Sequence, residues 1–327
     1  MKQPVNKKLG ENLVKLVSLL NDGQYHDGTT IGHELHMTRS AVWKLIKKLK
    51  SYHIKLDSIK GKGYALVEPL ILLDIQRIKS ALNEVNVTIF ESVDSTNAYL
   101  RSIKQCDAIN ICLAEQQTQG RGRFNRKWHS PFAKNIYLSC LYPFQKEVSE
   151  LSGLSLVVSL AVIKTLQNAG VNEKLFVKWP NDILHDHKKI SGSLIEIRAE
   201  THGACHAIIG VGVNVNMLAD EDEFISQAWT SIQQTLNTYI DRNKVCMSLL
   251  NNLFDYLQRF EQEGLLPFVS EWSAADCLTH QWIAVANVNE TVEGRVMGIN
   301  EQGHLLLELK NGNTRAFASG DTSIVKK

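Results

Sequence analysis

The hydrophobic pattern of this 327-residue chain changes twice, and these changes constrain its fold more than any other feature. Apolar residues recur at helical spacing up to about Lys50, strand-like and helix-like segments alternate from about Asn86, and short strand-like segments follow Cys277. A chain of this length has room for two or three domains. We therefore expect an α+β protein with a module over residues 1–66, a connector over 67–83, a larger domain over 84–275 and a small β domain over 276–327.

Charge is divided unevenly between the N-terminal part of the chain and the rest. Residues 1–63 hold 12 Lys and Arg against 5 Asp and Glu, whereas the remaining residues hold 24 against 29. The net charge of +2 therefore combines a small basic module with a larger acidic body. Such an asymmetry is typical of proteins that contact nucleic acid, so we expect a nucleic-acid partner at the N-terminal module.

The N-terminal module has the pattern of a winged helix-turn-helix. Thr38 is a suitable N-cap for a helix that runs to about Lys50, with one apolar stripe and one basic face. The glycines at 61 and 63 then predict a tight basic hairpin, which takes the position of a wing. The residues expected to contact DNA are Thr38, Arg39, Ser40, Lys44, Lys47 and Lys62. The alternative is a three-helix domain whose basic face is only solvated.

The stretch GRGRFNRKWHSP, residues 120–131, concentrates four cations within seven residues. Glycine costs about 1 kcal/mol in a helix interior relative to alanine, so Gly120 and Gly122 argue against a basic surface helix. A strand is also unsuitable, because nothing apolar alternates with the arginines before Trp128. We therefore expect a mobile loop whose guanidinium groups bind carboxylate or phosphate, the alternative being a solvated loop tip.

Other motifs of the larger domain also suggest places where a ligand approaches the backbone. Asp94, Ser95 or Thr96 is suited to cap a helix and to leave backbone N–H groups free for a ligand. Residues 206–216 read as a strand with Gly210 and Gly212 on one face, where a ligand could come close to the main chain. A bulge or tight sheet packing is the alternative explanation of these glycines.

Five motifs, in order, resemble those of the biotin protein ligases. They are DSTN (94–97), GRGRFNRKWHSPFAKNIYLS (120–139), KWPND (178–182), KKISGSLIE (188–196) and GVGVNVN (210–216). With the basic module and the C-terminal strands, the chain resembles the bacterial form that is also the repressor of the biotin operon. The resemblance implies a winged helix-turn-helix, a central mixed-sheet domain like that of class II aminoacyl-tRNA synthetases, and a C-terminal SH3-like β-barrel.

The resemblance also implies an activity and its partners. Such enzymes use ATP and Mg²⁺ to convert biotin into biotinoyl-AMP, and then transfer biotin to one lysine of a biotin carboxyl carrier protein. The adenylate is also the corepressor, which implies a homodimer bound to operator DNA. The mixed anhydride hydrolyses readily, so a closing loop of arginines would neutralise charge and exclude water. Removal of residues 1–63 is expected to abolish DNA binding and to leave ligation largely intact.

Individual residues take their expected roles from the matching motifs. The catalytic residues implied are Arg121, Arg123, Lys189 and Asp182. Biotin binding is implied for Ser95, Thr96, Asn97, Gln117, Arg121, Gly122, Arg123, Lys189, Gly210 and Gly212. ATP binding is implied for Lys178, Asn181, Asn214 and Trp229, with the Mg²⁺ ligands left open.

Two departures from the family pattern stand out. Phe124 and Asn125 lie where many relatives have Arg-Gly, so the contribution of the loop to dimer contacts is open. Val325 lies where the family often has an arginine that helps to hold ATP phosphates, which puts that contact in doubt. Two other functions remain open: a ligand-sensing transcription factor without ligase activity, and a lipoate or octanoyl transferase, whose usual chain lacks the N-terminal module and the arginine loop.

The sequence also indicates the cellular compartment. The N-terminal residues lack an apolar segment of the kind that directs export, and we expect no membrane span. The six cysteines form no CxxC pair, which favours reduced, buried thiols in the cytoplasm.

Overall fold

Helical, mixed and all-strand regions follow one another along the chain, as the hydrophobic pattern predicts. The fold comes from a computed structural model that describes residues 7–80, 82, 85–103, 108–199, 205–218, 225, 227–287 and 290–325. The α+β class, with a winged helix-turn-helix, a central mixed sheet and a C-terminal β domain, is confirmed.

The N-terminal module contains three helices and a hairpin. The short strand β1 (Lys7–Lys8) comes first. The elements of the module follow in chain order: α1 (Glu11–Leu20), α2 (Gly28–Glu34), α3 (Arg39–Ser51), β2 (Leu56–Ile59) and β3 (Gly63–Leu66). The Thr38 side chain accepts a hydrogen bond from the backbone N–H of Ala41, which confirms it as the N-cap of α3. The hairpin of β2 and β3 has Gly61 in the left-handed region at its turn, and forms the predicted wing.

An eight-stranded sheet forms the base of the larger domain. Its elements are, in chain order, α4 (Ile75–Ser80), β4 (Asn86–Ser92), α5 (Thr96–Ser102), β5 (Asn110–Ala114), β6 (Ile136–Phe144), α6 (Leu154–Asn168), β7 (Leu175–Lys178), β8 (Asp182–His185), β9 (Lys188–Ala199), β10 (Cys205–Val213), α7 (Ile232–Leu236), α8 (Arg242–Glu263) and α9 (Val269–Ala275). The strand order is β1-β4-β5-β6-β10-β9-β8-β7, in which β4 and β5 are parallel. β1 pairs with β4, so the first described strand belongs to this sheet.

The two faces of this sheet have different roles because side chains alternate along a strand. On β10, Ile209, Val211 and Val213 point into the main hydrophobic core, where α6 and α8 also pack. Gly210 and Gly212 alternate with them and therefore lie on the opposite face. That opposite face carries the candidate site.

One apolar segment, Val148–Asn168, is long and hydrophobic enough to be a candidate membrane span by composition. The sequence alone led us to expect no such candidate. The helix α6 within this segment is buried on nearly all sides and packs against α8 and the sheet. Its hydrophobicity is therefore accounted for by its place in the protein core.

The C-terminal domain is a five-stranded antiparallel sheet. Its strands are β11 (Trp282–Ala286), β12 (Thr291–Ile299), β13 (Leu305–Glu308), β14 (Thr314–Phe317) and β15 (Asp321–Ile324), in the order β14-β13-β12-β11-β15. The buried Thr322 donates a hydrogen bond to the Trp179 carbonyl at 3.2 Å. This contact fixes the start of β15 against the larger domain, beside the candidate site.

The connector packs on the larger domain, as its apolar sequence predicts. Leu73 is buried in the core of the larger domain, and its backbone N–H donates to Glu115 at 2.6 Å, whereas Leu70 and Leu72 are buried in the core of the N-terminal module. Glu115 also forms a fully buried ion pair with Arg242 of α8, at 2.6 Å. Separating Arg242 from Glu115 would leave a buried charge without a partner, which is costly. The pair therefore holds the connector, β5 and α8 in one arrangement.

Side chains of both domains also meet at the junction between the module and the sheet. Glu91 of β4 is fully buried, and it accepts hydrogen bonds from Lys48 and, at 2.5 Å, from the Tyr52 hydroxyl. The Tyr52 ring stacks on Phe132, with ring centroids 4.0 Å apart. Phe132 and Ala133 are part of the hydrophobic core of the module. The segment that follows the arginine loop is therefore packed inside the DNA-binding module.

The described cysteines are free thiols, as expected. Cys106 lies outside the described residues. Burial raises the pKa of the Cys246 thiol to about 12 and that of Cys277 to about 11. Both thiols therefore stay protonated at neutral pH and are poor nucleophiles.

Candidate active site

A cavity of about 450 Å³ opens on the face of the sheet that carries Gly210 and Gly212. This volume lies within the range of small-molecule sites. Every residue implied for biotin binding lines it: Ser95, Thr96, Asn97, Gln117, Arg121, Gly122, Arg123, Lys189, Gly210 and Gly212. So do Asn181, Asp182, Asn214 and Trp229. Lys178 is not among the lining residues; it lies on β7, where its backbone pairs with Asp182.

The DSTN segment forms one wall of the cavity at the start of α5. Ser95 caps this helix by accepting a hydrogen bond from the N–H of Ala98, as the motif predicts. Thr96 donates to the Gln117 side chain from its backbone N–H at 2.9 Å and from its hydroxyl at 3.1 Å. This wall is therefore fixed by hydrogen bonds to the segment that leads into the arginine loop.

Asn97 and Ser139 continue this hydrogen-bonded network toward the sheet. The Ser139 hydroxyl lies 2.7 Å from the Thr96 hydroxyl and 2.6 Å from the Asn97 carbonyl oxygen. The Asn97 amide donates to Glu196 at 2.9 Å. Ser139 was missed from the sequence because its role depends on β6 lying opposite α5. Fixed polar groups of this kind are suited to orient a ligand that carries both donors and acceptors, such as a cyclic urea.

The glycines of β10 make room for two side chains. A Cβ atom at Gly210 would lie 2.3 Å from Asn97 Oδ1, and one at Gly212 would lie 2.5 Å from the Trp128 indole. Tight packing, the alternative explanation from the sequence, therefore applies at both positions. Trp128 itself lines the cavity, and its buried indole N–H has no hydrogen-bond partner among the described residues. A direct contact of these glycines with biotin stays a prediction.

The arginine loop lies over the cavity and contacts the C-terminal domain. Arg123 donates to the Gly320 carbonyl at 3.2 Å and to the Asn181 side chain at 3.4 Å. Arg126 forms an ion pair with Asp321 at the start of β15. Burial lowers the pKa of Arg123, and the nearby carboxylates of Asp182 and Asp321 oppose that effect. The guanidinium of Arg123 thus stays charged at the mouth of the cavity.

The two residues that depart from the family pattern hold an unusual backbone shape. Phe124 and Asn125 have φ angles of 53° and 57°, both in the left-handed region. Asparagine adopts this region several-fold more readily than most residues, whereas a bulky side chain rarely does. The Arg123 guanidinium lies 5.0 Å from the centre of the Phe124 ring, so the Phe124 side chain packs on Arg123.

Lys189 and Asp182 form the charged centre of the cavity. The Lys189 ammonium lies 2.7 Å from Asp182 Oδ1 and 5.3 Å from the centre of the Trp128 ring. The backbone of Lys189 bonds with the segment that carries Trp229, through Ala228 and Thr230. The Lys189 ammonium therefore lies where the wall expected to bind biotin meets the wall expected to bind the nucleotide.

The expected nucleotide side is organised by amide side chains. The Asn214 amide donates to the Thr230 carbonyl at 3.0 Å, which holds β10 against the Trp229 segment. Asn181 donates to the Ser193 carbonyl and fixes the turn between β7 and β8. Among the described residues there is no cluster of three His, Cys, Asp or Glu side chains suited to a metal. Mg²⁺ needs no such cluster, because it binds through one or two carboxylates together with substrate phosphates, and Asp182 offers one.

Val325 contributes its backbone rather than a side-chain charge. Its N–H donates to the Trp282 carbonyl at 3.1 Å and extends the pairing of β15 with β11. The described part of this domain brings Asp321 to the cavity instead. Neither Asp321 nor Trp128 was assigned a site role from the sequence.

The residues expected to contact DNA lie together on the module. Arg39, Ser40, Lys44 and Lys47 are exposed on α3, and Thr38 caps this helix. Lys62 lies at the tip of the wing, with its ammonium 6.0 Å from the centre of the Tyr25 ring. Recognition helix and wing therefore present cations together. Trp43 is also exposed on α3 and was given no role from the sequence.

Comparison with known protein families gives a match for each of the three regions. The sequence model of the biotin/lipoate A/B protein ligase family matches residues 89–214. A helix-turn-helix domain model matches residues 12–65, and the model of the biotin protein ligase C-terminal domain matches residues 285–325.

Relatives with the same arrangement are similar over nearly the whole chain. The bifunctional ligase/repressor BirA of Salmonella typhimurium is 37% identical over 94% of this chain and 96% of its own length. That of Escherichia coli is 35% identical over 95% of this chain and 96% of its own. The solved biotin protein ligase from Aquifex aeolicus in complex with biotin and ATP is 26% identical, with a TM-score of 0.63, over 74% of this chain and 99% of that one. The chain belongs to the family of bifunctional biotin ligase/repressor proteins.

Proposed function

We propose that this chain is an ATP-dependent biotin protein ligase that also represses transcription. The observation that carries the ligase function is the cavity itself. It brings Arg121, Arg123, Lys189 and Asp182 together from segments far apart in the chain. Relatives that share its three regions are ligase/repressors, and a solved relative binds both biotin and ATP.

The first chemical step joins two anions, and the cavity supplies the cations for it. A carboxylate oxygen of biotin attacks the α-phosphorus of ATP, which forms the acyl phosphate bond and releases pyrophosphate. Lys189 is placed to hold the biotin carboxylate and to stabilise the charge that develops on the acyl phosphate. Arg121 and Arg123 neutralise the phosphate and exclude water from the product. Mg²⁺ bound with ATP would supply further charge neutralisation, and Asp182 and Asn181 would offer it oxygen ligands.

The second step transfers the acyl group to a lysine of a biotin carboxyl carrier protein. The lysine amine attacks the acyl carbon, AMP leaves, and the amine loses a proton. Asp182 lies at the cavity and is our candidate to orient this amine and to receive its proton. Its partner Lys189 would by then be bound to the acyl phosphate. Asp182 would thus pair first with the Lys189 ammonium and later with the amino group of the carrier lysine.

The repressor function rests on the winged helix-turn-helix. One such module covers a short site, so selection of one operator requires two modules on a palindrome. We propose that biotinoyl-AMP favours a homodimer, because the loops that close over it are available to brace a contact between copies. Sedimentation velocity with and without biotin and ATP tests this: the free chain should be mostly monomeric. The protein is expected to act in the cytoplasm, where operator DNA and the carrier protein are present.

Two other functions remain as alternatives. A ligand sensor without ligase activity would need only the biotin wall, and Asn181, Asp182 and Asn214 supply a second wall that such a sensor would not use. A lipoate or octanoyl transferase shares the family model of the central domain. The polar network around Asn97 and Ser139 is suited to a cyclic urea rather than to an apolar chain end.

Incubation of the full chain with labelled biotin, ATP and a purified carrier domain tests the proposed activity. We expect label on a single lysine of the carrier, and none when ATP is omitted. Lipoate and octanoate serve as competing substrates in the same assay. Transfer of either in preference to biotin, or binding of biotin without any transfer, would overturn the ligase assignment.

A further inference from the structure

The exposed face of α3 carries a large apolar side chain at its centre. Trp43 is 54% exposed, although it lies one residue after the buried Val42. Leaving an indole in water forgoes the free energy of burial, about 25 cal/mol per Å² of apolar surface. A residue of this size on a helix that is otherwise correctly amphipathic suggests a surface that is covered in a complex.

The side chains around Trp43 indicate what covers it. Arg39, Ser40, Lys44 and Lys47 share its face and are exposed, and α3 contains no Asp or Glu. The Lys47 ammonium lies 5.2 Å from the centre of the Trp43 ring. The Trp43 indole and the surrounding cations are complementary to a partner that has negative charges around an apolar group. Duplex DNA has this character, with phosphates along the groove edges and thymine methyl groups in the major groove.

The orientation of this face is fixed by the rest of the protein. Val42, Ile46 and Leu49 are buried in the module, and Lys48 and Tyr52 are held by the buried Glu91 of β4. The lysines of α3 are thus divided between two tasks. Lys48 anchors the helix to the central sheet, whereas Lys44, Lys47 and Lys50 are exposed to solvent.

We propose that Trp43 is a specificity-determining residue of the DNA-binding surface and that its indole packs against the C5-methyl group of a thymine in the major groove. The inference rests on the proposed repressor function and adds to it a particular base contact. Lysine contacts with phosphates position the protein but carry no sequence information. An apolar contact with the methyl group distinguishes thymine from the other bases.

Substitution of thymine by deoxyuridine tests the contact, because it removes one methyl group and keeps base pairing. The probe is a duplex selected from random sequence by the full-length chain in the presence of biotin and ATP. Each thymine of a half-site is replaced in turn, and affinities are measured for the wild type, Trp43→Ala and Trp43→Phe. We expect one position at which deoxyuridine weakens the wild type about three- to ten-fold and Trp43→Ala not at all. Trp43→Phe should keep part of the preference.

A matched control is available in the C-terminal domain. Trp282 also has a lysine over its ring, with the Lys310 ammonium at 5.9 Å, but it lies in β11. Trp282→Phe should keep the full thymine preference. Biotin ligation by Trp43→Ala should equal that of the wild type, which verifies that the variant is folded. The slope of affinity against salt should also stay unchanged, because no phosphate contact is removed.

The outcomes separate the inference from the proposed function. If Trp43→Ala shows the same deoxyuridine penalties as the wild type, Trp43 does not read a thymine and the inference is wrong. A change in self-association without a change in base preference would place a second copy of the chain on Trp43, and would also overturn it. If the wild type selects no duplex at all, the repressor function itself fails.

Discussion

At the scale of single residues, Lys189 and Asp182 form the charged pair on which the proposed chemistry depends. Their 2.7 Å contact keeps the ammonium at the junction of the two walls. A biotin carboxylate that enters the cavity offers Lys189 a second anionic partner. We therefore expect Lys189 to stabilise the acyl phosphate as it forms more than it stabilises bound biotin.

Lys189→Ala should lower the rate of adenylate formation far more than it weakens biotin binding. We expect a loss of at least 100-fold in the chemical step, of the order seen when an oxyanion-stabilising group is removed. Biotin affinity is measured by calorimetry, and adenylate formation in a single turnover. Lys188→Ala, at the exposed start of β9 beside it, is the control and should behave as the wild type. Equal losses in affinity and rate would make Lys189 a simple anchor for the carboxylate.

The residues that the sequence predicts best are those whose role is local. The Ser95 cap and the Thr38 cap follow from the residues next to them, and both are confirmed. Trp128 over Gly212 and Asp321 beside Arg126 bring together positions far apart in the chain. Their roles depend on how strands and domains pack, which no local pattern encodes.

At the scale of elements, the arginine loop is held by the start of β15. Arg126 pairs with Asp321, and Arg123 donates to the neighbouring Gly320 carbonyl. The sequence predicts a mobile loop, and the structure shows which element receives it. Through these contacts the C-terminal domain reaches the loop that lines the cavity, although Val325 lies where the family often has an arginine.

Asp321→Asn should speed the escape of biotinoyl-AMP from the enzyme. The pair is partly exposed, so its contribution is at most about 1 kcal/mol, equivalent to a two- to five-fold faster loss. Adenylate release is followed after removal of free ATP. Glu290→Gln breaks a similar exposed pair with Arg315 on the same domain and should change nothing. Unchanged release in Asp321→Asn, or an equal effect in Glu290→Gln, would show that the contact does not hold the loop.

The sequence predicts which segments form helices and strands better than it predicts how those elements pair and pack. Periodicity and turn residues place the recognition helix and the wing correctly. The pairing of β1 with β4 was not predicted, because a two-residue strand carries no periodic signal. The sheet order likewise depends on long-range packing rather than on local sequence.

At the scale of the whole molecule, the DNA-binding module and the catalytic domain share a core. The sequence predicts that ligation survives removal of residues 1–63. The structure changes this expectation, since Phe132 is 2% exposed within the core of the module and Glu91 takes its partners Lys48 and Tyr52 from that module. Removal would expose Phe132, which directly follows the arginine loop, and would take away the hydrogen-bond partners of Glu91 on β4.

A chain that lacks residues 1–63 should therefore lose DNA binding and also hold biotinoyl-AMP less tightly. We expect the release rate of the adenylate to rise about ten-fold or more, since the ring stacked on Phe132 at the base of the loop is lost, together with two hydrogen bonds to Glu91 on β4. The measurement is the adenylate release assay used for Asp321→Asn. Full retention of the adenylate by the truncated chain would mean that the two domains are energetically independent.

We propose that one small molecule, biotinoyl-AMP, is both the reaction intermediate and the signal for DNA binding. The most direct measurement is the anisotropy of a labelled operator duplex titrated with the full-length chain at fixed salt. We predict that the chain binds the operator duplex tightly and sequence-selectively when biotin and ATP are both present. With biotin alone or ATP alone, binding should be at least ten-fold weaker, because neither forms the adenylate. Equal affinity under all three conditions would contradict the claim, and would separate the repressor from the enzyme.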